Sequence, residues 1–301
     1  MADTSPTKSG FVAIVGAPNV GKSTLLNRFV GAKVSIVSPK VQTTRSRVLG
    51  ICIEGASQVI FIDTPGIFAP RRRLDRAMVA AAWGGAGDAD EVLFLVDASR
   101  RICKDTAAIL DRLKATDRKV YLAINKVDLV KKEDLLTLID ELTKRATFSE
   151  IFMVSAETGD GADELLAFLA NLLPDGPWLF PEDQISDMPQ RLLAAEITRE
   201  KIFLQLRQEL PYAATVETEK WETRPDGSVK IDQTIYVERP TQKAIVLGKG
   251  GAQIKALGEA SRRELEKLLD TRIHLFLFVK VREKWGDDPE RYRDWGLDYN
   301  A

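Results

Sequence analysis

The sequence predicts a doubly wound α/β layer followed by a smaller α+β layer, and three observations carry that prediction. Apolar runs alternate with helical stretches through the first half of the chain, the pattern of a doubly wound, mostly parallel sheet. A segment at 173–189 holds Pro174, Gly176, Pro177, Pro181 and Pro189 among acidic residues, which removes backbone donors and stops a continuing helix. Beyond it the order of elements becomes helix, strand, strand, helix, helix, strand, which is not a second wound sheet.

Strands are expected at 11–15, 48–54, 59–63, 91–97, 120–125 and 151–154, each an apolar run ending in turn-forming residues. Helices are expected at 22–31, 107–113 and 133–144. Gly84, Gly85 and Gly87 predict a loose helix after the third strand, because each glycine costs about 1 kcal/mol relative to alanine in a helix. In the second half, a helix at 191–209 precedes strands at 213–222 and 229–238 around the turn Arg224-Pro225-Asp226-Gly227. Helices at 241–247 and 252–269 and a strand at 272–281 follow. The domain reading is a flexible tail at 1–9, a first domain at 10–175, a linker at 176–190 and a second domain with its tail at 191–301.

Bulk composition narrows the function. A chain of 301 residues with 45% hydrophobic content can build two cores. Its 43 basic and 44 acidic side chains nearly cancel, so a polycation that coats nucleic acid by charge alone is excluded and any RNA site must be local. Cys52 and Cys103 lack metal-ligand spacing and read as buried small hydrophobes in a reducing interior. No apolar run approaches the ~18 residues of a bilayer span, and the polar start of the chain has no signal-peptide core. A cytoplasmic monomer is expected.

Gly16, Ala17, Pro18, Asn19, Val20, Gly21, Lys22 and Ser23 match GxxxxGK[ST] between a strand and a helix, the context that makes this motif specific. Loop N–H groups can wrap a β-phosphate, Lys22 can neutralise β/γ charge and the Ser23 hydroxyl can ligate Mg2+. Asp63, Thr64, Pro65 and Gly66 end an apolar strand, which aims Asp63 at the phosphates to hold Mg2+ through water. Gly66 can offer its N–H to a γ-phosphate. Asn125, Lys126, Val127 and Asp128 follow another buried strand, and a carboxylate there can accept two hydrogen bonds from guanine while adenine leaves it unpaired. The motif therefore selects GTP over ATP. Ser155 and Ala156, in Ser155-Ala156-Glu157-Thr158-Gly159, add an N–H for the guanine O6.

The ordered GAPNVGKS, QTTR, DTPG, NKVD and SAETG elements resemble GTPases of the Era type. The resemblance implies that Thr44 ligates Mg2+ through its hydroxyl and senses the γ-phosphate, with Thr43 the competing choice. It also implies that the Asn19 side chain helps hold K+ beside the phosphates. Ile67 follows the DTPG motif and cannot orient water as a glutamine would, so hydrolysis of GTP to GDP is expected to be slow and to rest on positioning and charge. Lys22, Thr44, Gly66 and Asn19 are its expected catalytic residues. The lone histidine, His274, sits in an alternating strand and reads as structural. Arg71, Arg72 and Arg73 read as a solvated loop.

Gly248, Lys249, Gly250 and Gly251 join two helices after two strands and before a third, an arrangement that resembles the prokaryotic type of KH domain. Without side chains, such a loop approaches a sugar-phosphate backbone closely and clamps about four nucleotides. Arg239, Lys243, Lys249, Lys255, Arg262 and Arg263 flank it against one acid, Glu259, so local charge favours RNA at Lys243, Lys249 and Lys255. The C-terminal stretch from Val279 to Asp288 also resembles Era. The resemblance implies binding of 16S ribosomal RNA near its 3′ end, a role in assembling the small ribosomal subunit, and peripheral contact with the inner membrane, for which no amphipathic or lipidation signal is present. Two rivals remain: a superfamily switch acting on a protein or tRNA-modification partner, and an RNA-binding module whose nucleotide fold has lost its function.

Overall fold

A computed structural model describes residues 6–40, 43–45, 47–70 and 72–301. Gln42 and Arg71, named above, lie outside the described residues. The described chain forms two units, one from residues 6–35, 44–187 and 292–301, the other from 36–43 and 188–291.

The first unit is a six-stranded sheet in the order β2-β3-β1-β4-β5-β6. Its strands are β1 (Lys8–Val15), β2 (Val48–Glu54), β3 (Ser57–Asp63), β4 (Glu91–Asp97), β5 (Val120–Asn125) and β6 (Glu150–Met153). All neighbours are parallel except β2 and β3, which pair as an antiparallel hairpin. The helices are α1 (Lys22–Val30), α2 (Arg73–Asp88), α3 (Lys104–Lys114), α4 (Lys132–Thr143) and α5 (Ala162–Leu172). β3 and β5 are buried along their whole length, as expected of strands covered on both faces. Phe61 and Phe94 are fully buried in this core, each contributing about 1.5–3 kcal/mol. In such a sheet, ligands bind beyond the carboxyl ends of the strands, and every expected nucleotide motif sits there.

Five expectations need correction. β1 begins at Lys8, where Lys8 and Ser9 pair with Ser57 and Gln58, so the tail is shorter than 1–9. The stretch 176–187 is not a linker: Gln58 accepts from the Leu179 and Phe180 N–H groups at 2.8 and 3.0 Å, and Ile51 N–H donates to Ile185 O at 2.9 Å. This stretch thus both donates to and accepts from β2 and β3, although its prolines alone marked it as free. α2 runs unbroken through Gly84, Gly85 and Gly87. A Cβ on Gly85 would lie 3.2 Å from Ile62 Cγ2, so tertiary packing of helix on strand outweighs propensity there. Residues 292–301 belong with the first unit, because Tyr292 and Leu297 pack on Ala77 and Met78 of α2. Arg73 donates to Tyr299 O at 3.3 Å and lies over its ring, so it is no solvated charge.

The second unit contains α6 (Gln190–Gln205), β7 (Ala214–Thr223), β8 (Val229–Val237), α7 (Pro240–Leu247), α8 (Ala252–Leu269) and β9 (Ile273–Val281). β8 is central, antiparallel to β7 and parallel to β9. Two apolar clusters hold it, one around Ile202, Ile235 and Leu257, the other around Ile197, Ile231 and Leu265. The expected order of elements is the observed one. Gly227 closes the β7–β8 turn at φ 78°, its N–H donating to Arg224 O at 3.0 Å. Among the described residues, no helix is long and apolar enough to cross a membrane.

Candidate nucleotide and RNA sites

The loop between β1 and α1 is shaped by what its neighbours exclude. A Cβ on Gly16 would stand 2.5 Å from Leu95 O, and Gly21 at φ 99° passes against the Asn125 amide. Both positions therefore require glycine. Asn19 is left-handed at φ 65°, a conformation asparagine tolerates. Lys22, only 6% exposed, donates to Gly16 O and Ala17 O at 3.1 Å each. Burial lowers its pKa to about 8, against the pull of Asp63. The amine bonds carbonyls that a phosphate could replace.

Asp63 gathers the hydroxyls. Its Oδ2 accepts from Ser23 at 2.7 Å and from Ser35 at 2.8 Å, and Thr44 Oγ1 lies 3.0 Å from Ser23 Oγ. Burial raises its pKa, opposed by Lys22 and by the hydroxyls of Ser23, Ser35 and Thr44. Its Oδ1 is buried without a hydrogen-bond partner among the described residues. An orphaned carboxylate oxygen beside two hydroxyls is an oxygen set that fits Mg2+. Thr43 instead bonds Lys40 O at 2.8 Å and Ser38 at 2.7 Å, so of the two threonines only Thr44 brings its hydroxyl to Asp63. Thr64 donates to Ile14 O at 2.8 Å, and a Cβ on Gly66 would meet Pro18 at 2.9 Å. Pro65 sits between them. The Ile67 side chain is buried and its N–H is taken by Gly16 O at 3.1 Å, so no side chain follows the DTPG motif into the site.

At the base end, Asn125 Nδ2 donates to Val20 O at 2.8 Å, tying β5 to the phosphate loop. Lys126, left-handed at φ 65°, donates to Asn19 O at 2.8 Å and Asp97 at 2.7 Å. Val127 and Asp128 begin a short turn, with the Asp128 carboxylate exposed. Ser155 Oγ accepts from Thr158 N–H at 3.1 Å. The Ala156 N–H, expected at the guanine O6, donates to Asn125 Oδ1 at 2.9 Å in the structure. It must be shared or released to meet a base.

In the second unit, Gly248, Gly250 and Gly251 all have φ between 61° and 79°. A Cβ on Gly248 would lie 2.6 Å from Gln253 Cβ, whereas Gly250 and Gly251 face open space. Gly248 is thus needed for packing and the other two for approach. Lys249 and Lys255 are exposed and Lys243 is half-buried. A groove of about 440 Å³ runs between α8, the helix that follows this loop, and β9, lined by Ile254, Lys255, Arg262, Leu275, Phe276 and Leu277 among others.

Comparison with known proteins places both units in known families. A family described as 50S ribosome-binding GTPase matches residues 11–126, and the KH domain family matches 209–286. GTPase Era of Rhizobium meliloti (strain 1021) is 61% identical over 298 residues, covering 99% of this chain and 95% of that protein. The chain belongs to the Era family of GTPases. GTPase Era of Mesorhizobium japonicum is also 61% identical, over 99% of this chain and 96% of its own length. Among solved structures, Era in complex with MgGDPNP and nucleotides 1506–1542 of 16S ribosomal RNA matches at TM-score 0.91 and 42% identity, covering 96% of this chain and 99% of that one. An Aquifex aeolicus Era variant bound to GDP and AlF4− matches equally well. This Era-family chain is a GTPase, with the P-loop and KH folds expected from its sequence.

Several residues escaped the sequence reading. Asp97, 2% exposed, orients Lys126; burial works against its charge, but hydrogen bonds from Lys126 and Ser99 outweigh it and hold its pKa low. The signal was present: Asp97 ends a strand as Asp63 does. Ser35 and Phe276 carried none, being an isolated hydroxyl and one of a run of apolar strand residues. Cys103 is exposed and caps α3, its Sγ accepting from Thr106 N–H at 3.5 Å, while Cys52 is half-buried and its thiol is pushed up to about 12 by burial. The reading of both as buried hydrophobes fails for Cys103 because a helix N-terminus needs an acceptor more than the core needs a sulfur.

Proposed function

We propose that this GTPase is a slow switch that binds 16S ribosomal RNA near its 3′ end and assists assembly of the small ribosomal subunit. The observation that carries the reading is the coexistence, in one chain, of a complete phosphate and base site with an exposed left-handed glycine loop and, along the helix that follows it, an apolar and basic groove. Its support from relatives is the Era complex that holds both a GTP analogue and 16S nucleotides. A switch acting on a protein or tRNA-modification partner leaves the glycine loop without a task. A vestigial nucleotide fold is disfavoured because Lys22, Ser23, Asp63 and Asp128 fill every ligand role.

In this reading, Gly16 to Ser23 wrap the phosphates and Lys22 trades the Gly16 and Ala17 carbonyls for β/γ oxygens. Ser23 and Thr44 would hold Mg2+ directly and Asp63 would hold it through water, and the ion would supply positive charge to the phosphates. Gly66 N–H meets the γ-phosphate, and Asn125, Lys126 and Asp128 hold guanine. With Ile67 buried, charge stabilisation carries hydrolysis. Asn19 would hold K+, which would supply the positive charge that an arginine finger otherwise gives. GTPase rates equal in potassium and sodium would remove Asn19 from that role. Gly248, Lys249, Gly250 and Gly251 clamp the RNA backbone while Lys243 and Lys255 contribute charge. We place the protein in the cytoplasm, acting as a monomer; for peripheral inner-membrane contact only the resemblance speaks.

The test is crosslinking of the full chain to ribosomal RNA with a GTP analogue and with GDP. Crosslinks at the 3′ end of 16S that differ between the two states are expected. Identical maps in both states would contradict a switch, and no rRNA crosslink would contradict the RNA reading.

A further inference from the structure

The phosphate loop and the base-reading loop lie on different elements, and one side chain joins them in a way the nucleotide motifs do not contain. α1 starts at Lys22 and Ser23 and ends at Val30. In its last turn Arg28 points to the loop that follows β6. Its Nε donates to Ala156 O at 2.6 Å and its Nη2 to Glu157 O at 2.5 Å. Gly159, at φ 102°, passes so close that a Cβ there would lie 2.7 Å from Arg28 Nη1. A basic residue in a last helical turn is favoured by the helix dipole, but the dipole does not call for two bonds to consecutive carbonyls of a loop 128 residues away.

Peptide geometry gives these bonds a consequence. A trans peptide is planar, with its carbonyl and N–H on opposite sides, so Arg28, by holding the Ala156 carbonyl, also sets the direction of the Glu157 N–H. On the other side of Ala156, its own N–H is held by Asn125 Oδ1 at 2.9 Å. The Ala156 residue is therefore fixed from α1 and from β5 at once. A guanidinium presents its donors in a rigid fork, which suits two successive carbonyls and leaves the loop one orientation.

We propose that Arg28 is a positioning residue for base selection: by gripping the Ala156 and Glu157 carbonyls it fixes the loop so that the Glu157 N–H, beside the Ala156 N–H that Asn125 orients, is directed to O6 of guanine. The inference rests on the reading above that this loop meets the guanine O6. It places the reading of O6 under α1, the same helix that carries the phosphate ligands, so base and phosphate contacts share one rigid support.

The test measures affinities of the full chain for GDP, 6-thio-GDP, in which the acceptor O6 becomes a poorer sulfur, and IDP, which lacks the exocyclic amine. Native protein should prefer GDP over 6-thio-GDP. In Arg28→Met that preference should shrink by about tenfold, the size of one hydrogen bond. Its GDP-over-IDP ratio, set by Asp128, should stay unchanged, and Arg28→Lys should recover part of the loss. Equal weakening of all three nucleotides, or no change in any ratio, would overturn the role of Arg28 while leaving the O6 reading intact. Native protein that binds 6-thio-GDP as well as GDP would remove the O6 reading, and this inference with it.

Discussion

The nucleotide end of the six-stranded sheet and the glycine loop of the KH unit are both proposed to meet phosphate, yet they are built on opposite plans. At the sheet, polar side chains are buried and already bonded to one another: Lys22 to two carbonyls, Asp63 to two serines, Asn125 to the phosphate loop. At the KH loop, Gly250 and Gly251 face open space and Lys249 is exposed. The first is a preorganised electrostatic site whose desolvation is met by the fold. The second offers bare backbone and leaves desolvation to the moment of binding. Discrimination between closely similar nucleotides needs the first plan, whereas gripping a sugar-phosphate chain needs only the second.

The sharpest way to break this contrast is Lys22→Ala, which should lower kcat of GTP hydrolysis by roughly 100- to 1,000-fold while leaving RNA affinity in the nucleotide-free protein unchanged. A loss of RNA binding in the same measurement would mean the two sites are not independent at that level. Next in size, Gly250→Asp should weaken binding of a 16S 3′-end oligonucleotide by about tenfold or more, because a carboxylate replaces open space beside phosphates. GTP affinity should not move. If RNA affinity matches the native protein, the loop is not the clamp.

Gly248→Ala sharpens the distinction within the loop itself. Its Cβ would press on Gln253 at φ 72°, so the variant should lose about 2 kcal/mol of stability in denaturant titration. An undiminished midpoint would show that Gly248 serves approach to RNA, as Gly250 does, and not packing.

The smallest effect is in pH. Burial lowers Lys22 to about 8 in the folded protein from an ordinary value of 10.5. Above pH 8 the folded protein therefore binds fewer protons than the unfolded chain, so Lys22 makes stability rise with pH between 8 and 10.5. Phosphate binding needs the cation and pulls the pKa back up, so GDP affinity should fall by up to about tenfold per pH unit above that point. Calorimetry in buffers of different ionisation heat should detect proton uptake on binding near pH 9. No uptake would mean that Lys22 is fully charged before the nucleotide arrives.

Much of the first unit was legible in the chain because its motifs combine local turn chemistry with strand ends. Glycine at 16 and 21, the carboxylate at 63 and the Asn125 to Asp128 run each sit where an apolar run stops, and a parallel sheet gathers such ends on one side. Gly85 shows the opposite case. Its cost to helix propensity is local, but the contact with Ile62 that repays it lies on another element. The bonds from Gln58 to Leu179 and Phe180 belong to the same class: prolines signalled an end of helix, and nothing in a linear reading signalled a segment laid along a strand.

What the sequence by itself determined was the inventory of motifs: a GxxxxGK[ST] loop, the Asp63 and Asp128 carboxylates at strand ends and a glycine loop between two helices, each specified by residues adjacent in the chain. Only the tertiary structure decided which of Thr43 and Thr44 brings its hydroxyl to Asp63, that Asp97 orients Lys126, that Arg28 holds the Ala156 and Glu157 carbonyls, and that residues 292–301 pack on α2. The reason is physical. Local motifs set backbone conformation through short-range sterics, whereas these contacts join positions far apart in the chain and exist only once the sheet and its helices have closed around them.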